Sequence, residues 1–246
     1  MKNDICRFMF RHDLKKKLII VTAVCAGIVC LLGILFVIFR GEKVDNDMSN
    51  MVTAFVCVYT FVSVIGIVVK VHGMELCFNR SRRSGIKAIF AELLVMLPFN
   101  AALAVGCEYL LSKLSGGSII GYDFKPVPSL LGLSSADGAA GILAAFGFTM
   151  LMLYAISVLA MLLITVIFRV GKYAWVAFWI LYMLLIFSSD SLLNPFKKFA
   201  SFIGVSTGVL ALMGLILVSA AFTAAFVLLY RKTELNKNAV GFARVS

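Results

Sequence analysis

Residues 139–168 read AAGILAAFGFTMLMLYAISVLAMLLITVIF, a run of thirty residues without one charged side chain. A transmembrane helix takes about 20 apolar residues, and the hydrocarbon core of a bilayer is roughly 30 Å thick. At 1.5 Å per residue this run would form a helix of about 45 Å, so it must tilt, bend or project from the bilayer. The stretch therefore predicts a membrane-spanning helix.

The composition of the whole chain agrees with that prediction. The chain has 246 residues, of which 62% are hydrophobic and only 14% are charged, and its mean hydropathy is +1.02. Soluble domains carry about 25% charged residues, and disordered chains need low hydrophobicity. Both of those classes are excluded, and the short polar connections leave no room for a large soluble domain.

Five further apolar runs predict an all-α, polytopic membrane protein that forms one transmembrane domain over residues 1–246. The six predicted spans are residues 18–39, 51–69, 88–111, 139–168, 173–189 and 207–230. Before them, residues 1–17 hold six basic residues and predict an amphipathic helix on the inner membrane surface. A signal peptide is the competing interpretation, but the run after residue 17 is too long for one. Residues 190–206 predict an outer re-entrant or interfacial segment.

Basic residues are distributed unevenly among the connections. The amino terminus, residues 70–87, residues 169–172 and the carboxyl-terminal tail together hold 17 Lys and Arg, whereas the other three connections hold 6. Basic residues concentrate on the cytoplasmic side of membrane proteins, so both termini are predicted to be cytoplasmic. The net charge of +11 is then explained by membrane anchoring, and we expect no nucleic-acid partner.

The residues that carry chemistry in enzymes are scarce in this sequence. The two histidines, His12 and His72, both fall in predicted cytoplasmic flanks, and the six cysteines fall in apolar runs or in basic flanks, where small packing residues are expected. We therefore expect no catalytic residue and no metal site. Two carboxylates lie within the third predicted span, and ionisable groups there are functional candidates. Glu92 is a candidate gating carboxylate or the partner of Lys87, Arg83 or a neighbouring helix, while Glu108 is expected to be interfacial and solvated.

The connection at residues 70–87 is the most informative cytoplasmic segment. Val71, Met74, Cys77 and Phe78 share one helical face, and the basic residues near them supply charge. One interpretation is an ordinary basic loop at the membrane surface. The other is a short helix over residues 71–84 that docks on a cytosolic partner.

At this point the sequence resembles the six-span permeases of ABC exporters of the ABC-2 type. These permeases carry a segment between spans two and three that typically reads Asn/Gly-x-Ser-Arg-Lys. The matching residues here are Phe78-Asn79-Arg80-Ser81-Arg82-Arg83. Ser81 and Arg82 stand at the family's Ser-Arg pair, Arg83 replaces its Lys, and Arg80 departs from the pattern. The layout of the whole chain is similar to the permeases of small peptide exporters and bacteriocin-immunity exporters.

The resemblance implies a role for each part of the chain. Two permease chains, as a homodimer or a heterodimer, would each bind a cytosolic ATPase that carries ATP and Mg, so this chain would hold no cofactor of its own. Residues 71–84 would form the coupling helix, with Met74 and the residues from Phe78 to Arg83 contacting the ATPase. Spans two and five would line the translocation path, through these residues: Thr53, Tyr59, Ser63, Phe178, Tyr182 and Ser189.

The leading hypothesis is thus an ATP-driven exporter subunit in a bacterial plasma membrane, which moves an amphipathic peptide or a lipophilic small molecule outwards. An ATP-independent channel or secondary carrier is the first alternative, although carriers often show inverted repeats and none is evident here. A membrane enzyme or a pure assembly subunit is the second alternative. An enzyme would place its catalytic polar groups together at one depth, and the sequence shows no such arrangement.

Overall fold

The computed structural model describes residues 2–38, 51–77, 81–114, 139–171, 173, 174, 176, 180 and 207–232. Within this part of the chain the fold is entirely helical. Five helices follow one another along the chain: α1 (Lys2–Ile38), α2 (Met51–Cys77), α3 (Arg82–Leu114), α4 (Ala139–Val170) and α5 (Thr207–Arg231).

Four of these helices contain segments long and apolar enough to cross a membrane. The segments are Val52–Leu76, Arg82–Leu111, Gly141–Val170 and Leu212–Arg231. They coincide with the second, third, fourth and sixth predicted spans, which confirms the all-helical fold in the described residues and supports a membrane protein. The first predicted span lies in α1, which is not among the four, and most of the fifth lies outside the described residues. Six spans and cytoplasmic termini therefore remain predictions.

The structure differs from the sequence predictions at two connections. Helix α1 runs without a break through residue 17, where a surface helix was expected to give way to a span. Residues 14–17 are leucine and lysines, which favour helix, and Asp13 pairs with Lys17 one turn away. Helix α2 likewise continues to Cys77, so residues 71–77 are the end of this long helix rather than the start of a separate one.

The chain divides into two compact units, and three helices contribute to both. The first unit comprises Met1–Ser63 and Ala91–Leu153. In it α2 and α3 pack antiparallel, since Thr53 pairs with Glu108 and Thr60 with Asn100. The buried apolar residues of this unit include Val21, Val52, Val56, Leu93, Met96, Leu97, Leu111 and Leu153.

The second unit comprises Val64–Phe90 and Tyr154–Ser246. Its described part brings together the end of α2, the start of α3, the end of α4 and the end of α5. Helices α4 and α5 meet through the hydroxyls of Tyr154 and Thr223, 2.8 Å apart, and Phe90 packs edge-on against Phe226. Helix α4 ends at Val170, and Gly171 follows it with a φ of 91°. The Gly171 amide donates a hydrogen bond to the Ile167 carbonyl, and a glycine with positive φ directly after a helix is typical of a left-handed cap.

Candidate functional site

The predicted coupling residues do not share one environment. Residues 78–80, which include Phe78, Asn79 and Arg80, lie outside the described part of the chain, and Met74 is half-buried on α2. Ser81 and Arg83 are exposed at the start of α3. Arg82 instead reaches into the second unit, where it contacts His72 and Glu75.

The Arg82 contacts belong to a buried polar cluster that we call the Glu75 cluster, formed by His72, Glu75, Arg82 and Tyr230. Oε2 of Glu75 accepts hydrogen bonds from Arg82 Nη1 at 3.3 Å and from the Tyr230 hydroxyl at 3.0 Å. Nη1 of Arg82 also lies 2.7 Å from Nδ1 of His72. The four residues come from α2, α3 and α5, so the cluster ties together the ends of three helices.

Aromatic rings enclose the Glu75 cluster and extend it to a fourth helix. The ring of Phe168, near the end of α4, stacks on His72 with 4.6 Å between centroids. The Tyr230 ring meets His72 edge-on at 5.8 Å and lies 5.9 Å from the Arg82 guanidinium carbon. A cation within about 6 Å of an aromatic face is attracted by the ring quadrupole. The rings therefore pack against both Arg82 and His72, and they keep water away from His72, whose side chain is 3% exposed.

The local sequence explains how Arg82 comes to point at this cluster. The carbonyl of Ser81 accepts from the amides of Ser84 and Gly85, so Ser81 occupies the N-cap position that serine favours. Gly85 lies one turn into α3, directly against the carboxylate of Glu75. A β-carbon on Gly85 would stand 2.7 Å from the Glu75 carboxyl carbon and 3.0 Å from Val71 Cγ1. Only glycine lets the two helices approach this closely.

The sequence did not predict the Glu75 cluster. His72 was expected in a cytoplasmic flank and Glu75 was not singled out, and in the structure both side chains are only 3% exposed. Among the residues that the structure describes, two buried atoms of the cluster find no hydrogen-bond partner: His72 Nε2 and Glu75 Oε1. The available signal was a histidine and a glutamate three residues apart at the end of an apolar run, with a tyrosine ending the last span.

The first unit holds a second buried charge site, which we call the Lys17 site. Nζ of Lys17 contacts Oε1 of Glu92 at 2.8 Å and Oδ2 of Asp13 at 3.2 Å. The Tyr59 hydroxyl donates to the Lys17 carbonyl at 2.6 Å. The partner of Glu92 therefore stands on a neighbouring helix, one of the options that the sequence left open for it.

The predicted path residues on α2 are engaged in packing within the first unit. Thr53 is buried and its amide donates to Glu108 Oε1 at 2.9 Å. Ser63 is buried as well, and Tyr59 is half-buried against Lys17. The candidates on the fifth predicted span, Phe178, Tyr182 and Ser189, lie outside the described residues.

The expectation that Glu108 is solvated is wrong, because its side chain is buried. Helix α2 begins at Met51, and the first four amides of a helix have no partner within it. The Glu108 carboxylate binds one of them, the amide of Thr53. A negative charge at this end also interacts favourably with the helix dipole. Glu108 thus caps α2 from a neighbouring helix.

We expect Glu108→Leu to lower the free energy of unfolding by about 1–2 kcal/mol, the usual cost of losing a helix cap. Glu108→Gln keeps an oxygen that can accept from Thr53, so we expect it to lose less than half as much. Unfolding in mixed detergent micelles measures both values. An equal loss in the two variants would show that the amide contact contributes nothing.

The Glu75 cluster and the Lys17 site each hold opposite charges in contact. In the residues that the structure describes, no group of three or more His, Cys, Asp or Glu side chains could hold a metal ion. The Glu75 cluster combines an arginine at the start of α3 with partners at the ends of α2 and α5, and Phe168 of α4 stacks on its histidine.

No family model, no curated protein and no solved structure matches this chain.

Proposed function

We propose that this chain is the permease subunit of an ATP-driven exporter, powered by a separate cytosolic ATPase. The observation that carries the proposal is the engagement of Arg82. This residue begins α3 directly after the α2–α3 connection, and it contacts α2 and lies against a ring of α5. A force applied to the connection would thus act on the ends of several apolar helices at once.

The outward-facing side chains near this connection supply a docking surface for the ATPase. Ser81, Arg83 and Ser84 are exposed in the first turn of α3, and Lys87 is exposed one turn further on. Arg82 supports this surface from behind rather than contacting the partner. The proposal therefore assigns the contact to Arg83 and the transmission of movement to Arg82.

The proposal extends to the rest of the assembly and its cargo. A second permease chain pairs with this one, and ATP and Mg bind to the ATPase. The cargo is an amphipathic peptide or a lipophilic small molecule, because the helices offer it an apolar, weakly polar surface. The export occurs across a bacterial plasma membrane.

Reversing the charge of Arg83 tests where the ATPase docks. We expect Arg83→Glu to lower the amount of ATPase recovered with the affinity-tagged chain at least tenfold, because the docking contact becomes repulsive. Arg231→Glu is the matched control, since Arg231 is also exposed at a helix end and the charge change is the same. This control should recover the ATPase as the unmodified chain does.

Size-exclusion chromatography of both variants establishes that they remain folded. Full ATPase recovery with folded Arg83→Glu would contradict the assigned docking surface. An equal loss in both variants would show a general effect of net charge instead.

A further inference from the structure

The contact between Arg82 and His72 fixes the protonation state of the histidine. Nη1 of Arg82 lies 2.7 Å from Nδ1 of His72. A guanidinium group can only donate hydrogen bonds, so Nδ1 must accept and carries no proton. While this contact is made, His72 is neutral and its proton is on Nε2.

The groups that face the imidazole come from four helices. On α2, Oε2 of Glu75 lies 3.6 Å from Nδ1, and on α3 the facing group is the Arg82 guanidinium. On α5 it is the Tyr230 ring. Helix α4 contributes Phe168, which does not titrate. Among the described contacts, the single charges of Glu75 and Arg82 therefore balance when His72 is neutral.

A proton on Nδ1 would reverse this arrangement. The new N–H would point at an N–H of Arg82, and two cations would share one buried carboxylate. Two like charges this close together repel each other, and the repulsion is stronger away from water. Glu75 Oε2 is already close enough to accept from the imidazolium after a small shift. Arg82, whose side chain is 27% exposed, is the member of the cluster that can move its charge into water.

We infer that the Glu75 cluster is a proton-operated switch. Uptake of a proton by His72 transfers Glu75 from Arg82 to the imidazolium and releases the start of α3 from the ends of α2 and α5. Histidine is the side chain that ordinarily changes charge between pH 5 and 8, so pH 8 and pH 5 are the conditions at which the switch is tested. The inference rests on the cluster itself and holds with or without an ATPase partner.

Selective isotope labelling tests the first half of the inference. The chain contains only two histidines, so His12→Gln leaves a single imidazole for ¹⁵N NMR of the full chain in lipid nanodiscs. At pH 8 we expect a bare Nδ1 and a protonated Nε2, and at pH 5 we expect both nitrogens to be protonated. A proton on Nδ1 at pH 8, or a neutral imidazole at pH 5, would overturn the inference.

The second half of the inference is that Arg82 leaves the cluster when His72 is protonated. Labelling the arginine side chains with ¹⁵N tests this. The side-chain N–H signal of Arg82 is the one that disappears in Arg82→Lys. We divide the rate of hydrogen exchange of this N–H by the rate measured for Arg231 in the same sample. We expect this ratio to rise at least tenfold from pH 8 to pH 5. In His72→Asn the side-chain oxygen can accept from Arg82 at either pH, so the ratio should stay constant. An unchanged ratio with His72 present, or an equal rise in His72→Asn, would overturn the switch.

Discussion

Replacing Lys17 with methionine is expected to lower the free energy of unfolding by about 3–5 kcal/mol, the usual cost of removing one partner of a buried ion pair. The side chains of Lys17 and Glu92 are 16% and 9% exposed. The substitution leaves the buried Glu92 carboxylate without its Lys17 counter-ion. Asp13, at 29% exposed, reaches water more easily and contributes less to the loss.

The matched control removes both charges of the pair. A buried ion pair can often be exchanged for apolar residues of similar volume without loss. The double variant Lys17→Met with Glu92→Leu should therefore regain most of the stability lost in Lys17→Met. Unfolding in mixed detergent micelles gives both values. A double variant less stable than the single one would contradict the pairing, as would a loss below about 1 kcal/mol in Lys17→Met.

The second large effect is expected at the close approach of Gly85 to Glu75. Alanine is a better helix former than glycine by about 1 kcal/mol, so Gly85→Ala would stabilise an ordinary helix. Here we expect it to destabilise the chain by about 2–3 kcal/mol, within the usual range for overpacking. The new methyl group displaces the Glu75 carboxylate, and Arg82 and Tyr230 lose their acceptor.

The sign of the Gly85→Ala effect depends on Glu75. In a Glu75→Ala background the carboxylate is gone, and the nearest remaining atom is Val71 Cγ1, at 3.0 Å from the new β-carbon. We then expect Gly85→Ala to be neutral or slightly stabilising. Thermal unfolding of the four chains in this cycle measures the coupling. The same destabilisation in both backgrounds would show that Glu75 does not approach Gly85 in the folded chain.

The apolar runs predicted the helices well because hydrophobic length is a local property. The run at residues 139–168 became a helix ending at Val170, and the run at 207–230 became one ending at Arg231. A span needs nothing from the rest of the chain to be recognised. The fold class therefore followed from the sequence.

The buried charge sites could not be predicted in the same way, since they depend on contacts between distant residues. His72 and Glu75 are polar residues in a segment that the sequence indicated as a connection. They are buried at the end of α2 because Arg82 and Tyr230 pack against them. The Tyr230 hydroxyl and Glu75 are 155 residues apart in sequence. Nothing in the local pattern of either segment indicates the other.

Glu108 illustrates the same limit. Its position near the outer end of a predicted span indicated a solvated side chain. In the structure Glu108 instead accepts a hydrogen bond from the Thr53 amide at the start of α2 and caps that helix. For Glu92 the sequence indicated the need for a partner without naming Lys17. A charged side chain in an apolar segment thus predicts that it has a partner, whereas the packing of the helices determines which residue that partner is.

Purification of the affinity-tagged chain from its own host in mild detergent, with mass spectrometry of the proteins that accompany it, tests the proposed function most directly. We expect a stoichiometric ATPase that carries a nucleotide-binding Walker A motif. A folded preparation in which the chain is intact and no ATPase accompanies it would show that the chain is not an ATP-driven permease. That result would favour an ATP-independent channel or carrier.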